Sequence, residues 1–221
     1  MHSRTRVQAV ALSTLICAAT YAGELTYTGP AASFGDNDPI GGTSEITIAE
    51  NFNIVEVRVL IGQLRHDWCG DAEIWLEKVD GATATLVSRI GVVDGIGEGD
   101  NSNFNGAYVF DSNSTNNIWT AAMAVGGTSV IPNGIYQTSG PNSGANNFSL
   151  HQFIGQNANG TWRLRARDFG PSPSGFFNFW ELRIIEGPAC SPCADANCDG
   201  FVTVADIGAF VTALTQGEAA W

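Results

Sequence analysis

The chain has 221 residues, and its 22 acidic side chains outnumber the 10 basic ones to give a formal net charge of −12. Binding to nucleic acid needs a basic face, so a chain this acidic is a poor candidate for that class of partner. Only 14% of the residues are charged, whereas glycine alone fills 26 positions. This composition is typical of an extracellular β-protein with many turns. The length allows one sizeable β-domain with a small appendage.

The N-terminus has the pattern of a secretory signal peptide. Arg4 and Arg6 precede an apolar run over residues 7–19, which is too short to span a bilayer comfortably. Small residues at Thr20 and Ala22 predict cleavage before Gly23, so that residues 1–22 would be removed. The alternative interpretation is a buried N-terminal helix, but no capping signal supports it. The sequence therefore predicts a secreted protein, extracellular or periplasmic, with no membrane span.

Cysteine usage agrees with export. Cys17 would leave with the signal peptide, and four cysteines would remain: Cys69, Cys190, Cys193 and Cys198. An even number in an exported chain permits disulfides, although the connectivity stays open. A zinc site is the less favoured alternative, because it needs a fourth ligand and the nearest candidate, Cys69, lies in the predicted β-domain, apart from the other three.

Residues 26–186 show short alternating runs separated by turn-forming clusters. Apolar residues at 162, 164 and 166 alternate with arginines at 163, 165 and 167, and the same period recurs at residues 55–59 and 180–184. Further strands are predicted at residues 44–50, 72–79, 84–90, 107–111 and 150–154, and long surface loops at residues 112–147. About eight strands at this spacing predict an all-β fold, a jelly-roll β-sandwich. Trp162 and Trp180 are expected to be core anchors.

A twelve-residue loop near the C-terminus has the spacing of a calcium site. Its candidate ligands are Asp195, Asn197, Asp199, Phe201 through its carbonyl oxygen, Thr203 and Asp206. Gly200 occupies the position at which such a loop turns around the ion. Apolar residues at 207, 210, 211 and 214 then form one stripe of a short helix. The alternative is an Asp/Asn-rich turn without a metal, but it leaves this combination of residues unexplained.

The calcium loop departs from an EF-hand because Pro192 lies where the first helix would be. A loop followed by one helix, with an aspartate at position 12, resembles a repeat of type I dockerins. Dockerins normally carry two such repeats, and one is visible here. The predicted organisation is a β-sandwich over residues 23–186, a linker over residues 187–194 and a calcium-binding loop and helix over residues 195–217.

Two stretches of the β-region together resemble the P domain (P/Homo B) of proprotein convertases and bacterial subtilisin-like proteases. In the first, residues 54–76, the family's His-x-x-x-Gly-Asp turn is matched by His66, Gly70 and Asp71. The second matches the family's closing pattern with Phe153, Asn159, Gly160, Thr161, Trp162, Asp168, Asn178, Trp180 and Leu182. Residues 99–101 with 110–111 resemble the middle section. The resemblance covers residues 27–185 and implies a jelly roll that stabilises and tunes a separate catalytic domain without cleaving substrate itself.

No catalytic function is predicted for the chain. His66 and Asp67 suggest two members of a hydrolytic triad, but adjacent residues on a strand or tight turn point apart. His66 is better interpreted as a turn residue bonded to nearby backbone. Aspartates at 71, 100, 111 and 168 either gather around a second calcium, as in some bacterial relatives, or cap turns; the sequence does not separate the two.

Two functions from different classes follow. The first is a non-catalytic accessory module that binds another exported protein, a separately encoded protease being one candidate, with Ca²⁺ held in the tail. The second is a carbohydrate-binding module of a polysaccharide-degrading system, with Trp68, Trp119 and Tyr136 as stacking residues. An exposed row of these aromatic residues would favour polysaccharide as the partner, and their burial would favour protein. A hydrolase relic is a weaker third alternative.

Overall fold

The structure is a computed structural model that describes residues 23–79, 81–140, 144–172 and 174–187. Its elements, in chain order, are β1 (Glu24–Gly29), β2 (Ala32–Phe34), β3 (Gly42–Ile48), β4 (Ile54–His66), β5 (Ala72–Lys78), β6 (Thr83–Val87), β7 (Phe104–Asp111), α1 (Ile118–Val125), β8 (Gly134–Tyr136), a 3-10 helix (Ser149–Phe153), β9 (Gly160–Asp168), β10 (Gly175–Phe177) and β11 (Phe179–Glu186). The predicted all-β class is confirmed, with eleven strands in the described residues where about eight were expected.

The strands form two sheets that face each other as a sandwich. The seven-stranded sheet runs β1-β11-β4-β10-β2, with β7 on the other side of β4 and β8 beside β7. The four-stranded sheet runs β3-β9-β5-β6, and all of its strand pairs are antiparallel. The 13-residue strand β4 pairs with β11, β10 and β7 along its length. A bulge around Gln63, at a φ of 53°, shifts its register against β7.

Period-2 alternation explains which side of each strand is buried. On β9 the side chains of Trp162, Leu164 and Ala166 are fully buried, and the arginines between them face outward. The indole N–H groups of both predicted core anchors find acceptors: Trp162 Nε1 donates to the Ala158 carbonyl (2.9 Å) and Trp180 Nε1 to Ser44 Oγ (2.8 Å). Both tryptophans are fully buried, which confirms their predicted role.

The strand predicted at residues 150–154 is wrong, because this segment forms the 3-10 helix Ser149–Phe153. Leu150 and Phe153 are the buried residues, three positions apart, which is the repeat of a 3-10 helix rather than of a strand. Phe153 reaches the ring of Trp162 at a centroid distance of 5.0 Å. This short apolar run therefore buries its side chains in the core as a 3-10 helix, and not as the strand that the sequence pattern indicated.

Residues 112–147 were expected to form surface loops, but they contain α1 and β8. Asn117 caps the helix, because its Oδ1 accepts the Thr120 amide at 2.8 Å. Ile118, Trp119 and Ala122 lie on the buried side. The helix ends at Gly126, whose φ of 62° takes the chain out of helical geometry.

Two predicted segments lie outside the described residues: the signal peptide at residues 1–22, and the tail at residues 188–221 that holds the calcium loop and three cysteines. Within the described ranges no helix is long and apolar enough to cross a membrane.

Candidate functional site

A buried histidine–aspartate pair joins the ends of β4 and β9. His66 Nε2 lies 2.8 Å from Asp168 Oδ2, and neither side chain is exposed to solvent. The Trp68 amide donates to His66 Nδ1 at 3.1 Å, so Nδ1 carries no hydrogen and Nε2 is the donor to the carboxylate. The other carboxylate oxygen, Oδ1, accepts the Gly170 amide at 2.8 Å. The pair therefore fixes two turns, one at the end of each strand.

Close packing fixes the plane of the His66 ring. The ring stacks on Phe34 with parallel planes and a centroid distance of 5.6 Å. Gly175, on β10, lies against both rings, and a Cβ at this position would overlap the Phe34 side chain. Glycine is required here because the backbone of β10 approaches the two rings closely.

Asp71 adds a second carboxylate to this cluster. Its backbone carbonyl accepts the Phe169 amide at 3.0 Å, and its side chain lies against Gly170. Burial, followed by the nearby charge of Asp168, raises the pKa of Asp71 above its usual value. The Arg89 guanidinium, 4.0 Å from Asp71 Oδ1, opposes that shift.

The turn at residues 67–71 is bonded to the loop at residues 89–102 by backbone hydrogen bonds. The Cys69 amide donates to the Ser102 carbonyl at 2.8 Å, and the Gly70 amide to the Asp100 carbonyl at 2.9 Å. The Cys69 thiol is free and fully buried, and burial raises its pKa strongly. Cys69 therefore forms no disulfide in this structure, and the three cysteines of the tail lie outside the described residues.

The geometry explains why His66 is unsuited to general-base catalysis. One ring nitrogen donates to Asp168, the other accepts the Trp68 amide, and the side chain is fully buried. A general base needs an unprotonated nitrogen within reach of the substrate proton. The structure agrees with the interpretation of His66 as a turn residue bonded to nearby backbone.

The four aspartates proposed for a second calcium do not converge. Asp111 Oδ2 is ion-paired with Arg58 Nε at 3.0 Å. Three of the four aspartates cap turns by accepting the amide two residues ahead: Asp100 from Ser102, Asp111 from Asn113 and Asp168 from Gly170. In the part of the chain that the structure describes, no group of three or more His, Cys, Asp or Glu side chains is arranged to hold a metal. The turn-capping alternative is the one the geometry supports.

The outer face of the four-stranded sheet carries a dense set of charges, which we call the arginine face. It consists of Arg163, Arg165 and Arg167 on β9 with Glu73, Trp75 and Glu77 on β5, and Glu45 on β3. Each of the three arginines is ion-paired with a glutamate of a neighbouring strand. Arg165 and Arg167 both lie 5.1 Å from the Trp75 ring. Cross-strand ion pairs and cation–π contacts therefore match the charges of this face internally.

The aromatic residues proposed to stack on sugars do not form an exposed row. Trp119 is 7% exposed and Tyr136 is 6% exposed. Trp68 is partly buried and donates from Nε1 to the Glu98 carbonyl at 2.8 Å. The burial of these residues disfavours the predicted stacking platform. The six candidate calcium ligands, Asp195, Asn197, Asp199, Phe201, Thr203 and Asp206, lie outside the described residues.

Comparison with known proteins supports the resemblance to P domains over one segment of the chain. No curated protein matches the chain. Among solved structures, the serine protease of Aeromonas sobria is similar over 75% of this chain and 27% of its own, with 14% identity and a TM-score of 0.42. The same protease in complex with a chaperone is similar over 76% of this chain and 28% of its own, with 14% identity and a TM-score of 0.43. The chain thus spans little more than a quarter of the length of these proteases. Residues 125–184 match the model of the proprotein convertase P-domain family.

Proposed function

We propose that the protein is a secreted, non-catalytic accessory module of P-domain type that binds another exported protein, and that this partner is a subtilisin-like endopeptidase. The match of residues 125–184 to the P-domain family carries this proposal. The matched segment includes α1's last residue, β8, the 3-10 helix, β9, β10 and most of β11. It therefore supplies strands to both sheets of the sandwich.

The contacts of His66 support extending the likeness beyond the matched segment. The two stretches that resemble P domains lie about 100 residues apart in sequence, and they meet where His66 bonds to Asp168. Asp71, which belongs to the first stretch, lies against Gly170, which is within the second. A shared buried cluster is expected if both stretches belong to one domain of this family.

The proposed role is binding without cleavage. His66 is sealed in the interior with both ring nitrogens occupied, so it supplies no base to an external substrate. An accessory domain that binds only the folded form of its partner raises the apparent stability of that partner by mass action.

Calcium binding by the tail is the second part of the proposal. Asp195, Asn197, Asp199 and Asp206 supply side-chain oxygens at the spacing that Ca²⁺ prefers, with Thr203 and the Phe201 carbonyl completing the set. Three carboxylates close together repel one another until a cation neutralises them. We propose that the ion orders this loop as a rigid end-piece of the secreted protein.

Affinity capture tests the proposed partner. The mature chain, immobilised with and without Ca²⁺, is exposed to the culture supernatant of the source organism, and retained proteins are identified by mass spectrometry. A subtilisin-like endopeptidase should be enriched over an unrelated β-sandwich of similar acidity. Failure to enrich any endopeptidase of this class would contradict the proposal.

Calorimetric titration tests the calcium site. The mature chain should bind one Ca²⁺ in the tail, and the double variant Asp195→Ala, Asp199→Ala should lose that binding. Glu218→Ala, which removes one tail carboxylate outside the loop, is the matched control and should bind as wild type does. Equal stoichiometry and affinity in the double variant and wild type would rule the site out.

A further inference from the structure

An open groove lies between α1 and β8, with a volume of about 540 Å³. This volume falls within the range of roughly 300–1,000 Å³ that small-ligand sites occupy. Its polar lining comes from Thr115, Asn116, Thr120 and Asn133, which are exposed, and from Asn117, which is partly buried. The proposed accessory role assigns no function to this groove.

The four exposed polar residues of the lining keep some hydrogen-bonding capacity, whereas the side chain of Asn117 is bonded to Gly144, Asn146 and Thr120. Asn116 donates from Nδ2 to a β8 carbonyl at 3.0 Å, which leaves its Oδ1 available. Asn133 accepts a β7 amide at Oδ1, at 3.2 Å, which leaves its Nδ2 available. Among the described residues, the hydroxyl groups of Thr115 and Thr120 have no hydrogen-bond partner. Unused donors and acceptors therefore remain on side chains that line the groove, and two of these side chains are already anchored.

The rest of the lining is apolar. Ala121 and Ala124 contribute from α1, and Ile135 and Tyr136 from β8. The Tyr136 ring is fixed because its hydroxyl donates to the Pro132 carbonyl at 2.7 Å. A ligand that fits this groove must present carbon surface to one part of the lining and polar groups to another.

Charge excludes several classes of ligand. None of residues 112–162 is Asp, Glu, Lys or Arg, although the chain as a whole carries a net charge of −12. An anion would find no cation in the groove and would be repelled by the acidic chain. A hard cation would find no carboxylate. A purely apolar ligand would bury the Thr and Asn groups without partners, which costs free energy.

The outer edge of β8 is closed to a peptide that would add a strand. The Ile135 carbonyl already accepts Ser114 Oγ at 3.1 Å and Asn116 Nδ2 at 3.0 Å. The Gln137 amide donates to the Asn116 carbonyl at 2.8 Å. Strand addition requires free backbone groups along the sheet edge, and here the segment before α1 occupies them.

We infer that this groove binds a neutral, hydroxyl-rich ligand of the carbohydrate class. A sugar ring offers hydroxyl groups that donate and accept, and C–H surface that fits against Ala, Ile and Tyr side chains. The site differs from the aromatic row predicted from sequence, because small uncharged side chains rather than exposed tryptophans form it. The inference goes beyond the accessory role and does not depend on it.

Affinity electrophoresis of the whole mature chain tests this inference. Native gels would contain neutral polysaccharides (cellulose derivatives, xylan, mannan, mixed-linkage glucan) or anionic ones (pectate, heparin). At least one neutral polysaccharide should retard the protein, and raising NaCl to about 0.5 M should not change that, because no charge is involved. Ala124→Trp, which fills the groove from an exposed helix position, should lower the affinity at least about tenfold.

Two controls make the result specific. Met123→Trp places the same side chain on α1 outside the groove lining, and it should bind as wild type does. Urea unfolding of both variants would establish that each is folded. Retardation by anionic polysaccharides only, by none of the neutral ones, or equally in Ala124→Trp and wild type would overturn the inference. Because the endopeptidase partner is tested by capture, either idea can fail while the other stands.

Discussion

The arginine face and the groove beside α1 use polar residues in opposite ways. On the arginine face, Arg163 reaches Glu45 at 2.6 Å and Arg165 reaches Glu77 at 3.6 Å, so the charges are matched within the sheet. In the groove the hydroxyl groups of Thr115 and Thr120 have no hydrogen-bond partner among the described residues. Internal pairing contributes to stability, whereas unpaired surface groups remain available to a ligand. The two regions should therefore respond differently to substitution.

The largest loss of stability is expected at the buried pair of His66 and Asp168, because its donors and acceptors are hydrogen-bonded within the interior. Asp168→Ala would leave His66 Nε2 and the Gly170 amide without acceptors in the interior. Leaving buried donors unsatisfied should lower the free energy of unfolding by about 3 kcal/mol, measured by urea denaturation. Asp168→Asn is the control, because it keeps an acceptor and should lose less. A loss below about 1 kcal/mol in Asp168→Ala would show that the pair does not hold the two turns.

A smaller effect is expected on the arginine face. Arg167→Ala removes an ion pair with Glu73 and contacts with the rings of Trp75 and Phe169. Because the site is partly exposed, the loss should be about 1 kcal/mol, and salt should reduce the electrostatic share of it. Arg65→Ala removes the same charge from an exposed position on the other sheet and should cost less. Equal losses in the two variants would mean that the arginine face is only a solvated surface.

A still smaller change in stability, with a defined dependence on pH, is expected from Asp71. Burial raises the pKa of Asp71 in the folded state above its unfolded value. The native state therefore binds this proton more tightly, so stability is lost as pH rises through the raised pKa. Asp71→Asn should be more stable than wild type at neutral pH, and the difference should vanish as pH falls below about 4. A difference that grows in acid would contradict the assigned pKa direction.

The smallest change in stability is expected in the groove. The double variant Thr115→Val, Thr120→Val keeps the branched shape of both side chains and removes two hydroxyl groups that have no partner among the described residues. Its free energy of unfolding should stay within about 0.5 kcal/mol of wild type. If the double variant lost as much free energy of unfolding as Arg167→Ala, the groove and the arginine face would not differ in how their polar groups contribute to stability.

The sequence predicts the strands of the sandwich well where apolar and polar residues alternate strictly. β9 and β11 alternate strictly, and their buried residues Trp162 and Trp180 were identified from that alternation. α1 was missed because it is eight residues long and is surrounded by turn-forming residues. Its identity depends on the Asn117 cap and on contacts with the core, which periodicity over so short a segment does not show.

The site was less predictable than the fold. His66 and Asp168 could each be singled out by resemblance, but their bond joins positions 102 residues apart and depends on how β4 and β9 are placed. The groove left a signal in the sequence, the absence of charged residues over positions 112–162. That absence indicates an unusual surface without showing that it is concave. Only the structure brings α1 beside β8.

The most direct test of the central claim measures what the module does to its partner. The captured endopeptidase would be heated with and without the purified mature chain, and its remaining activity followed over time. The account predicts a longer half-life of inactivation when the module is present, because binding to the folded protease stabilises it. Ala124→Trp should protect equally well, because the groove is assigned to another ligand. An unchanged half-life, with the two proteins shown to be bound, would contradict the accessory role.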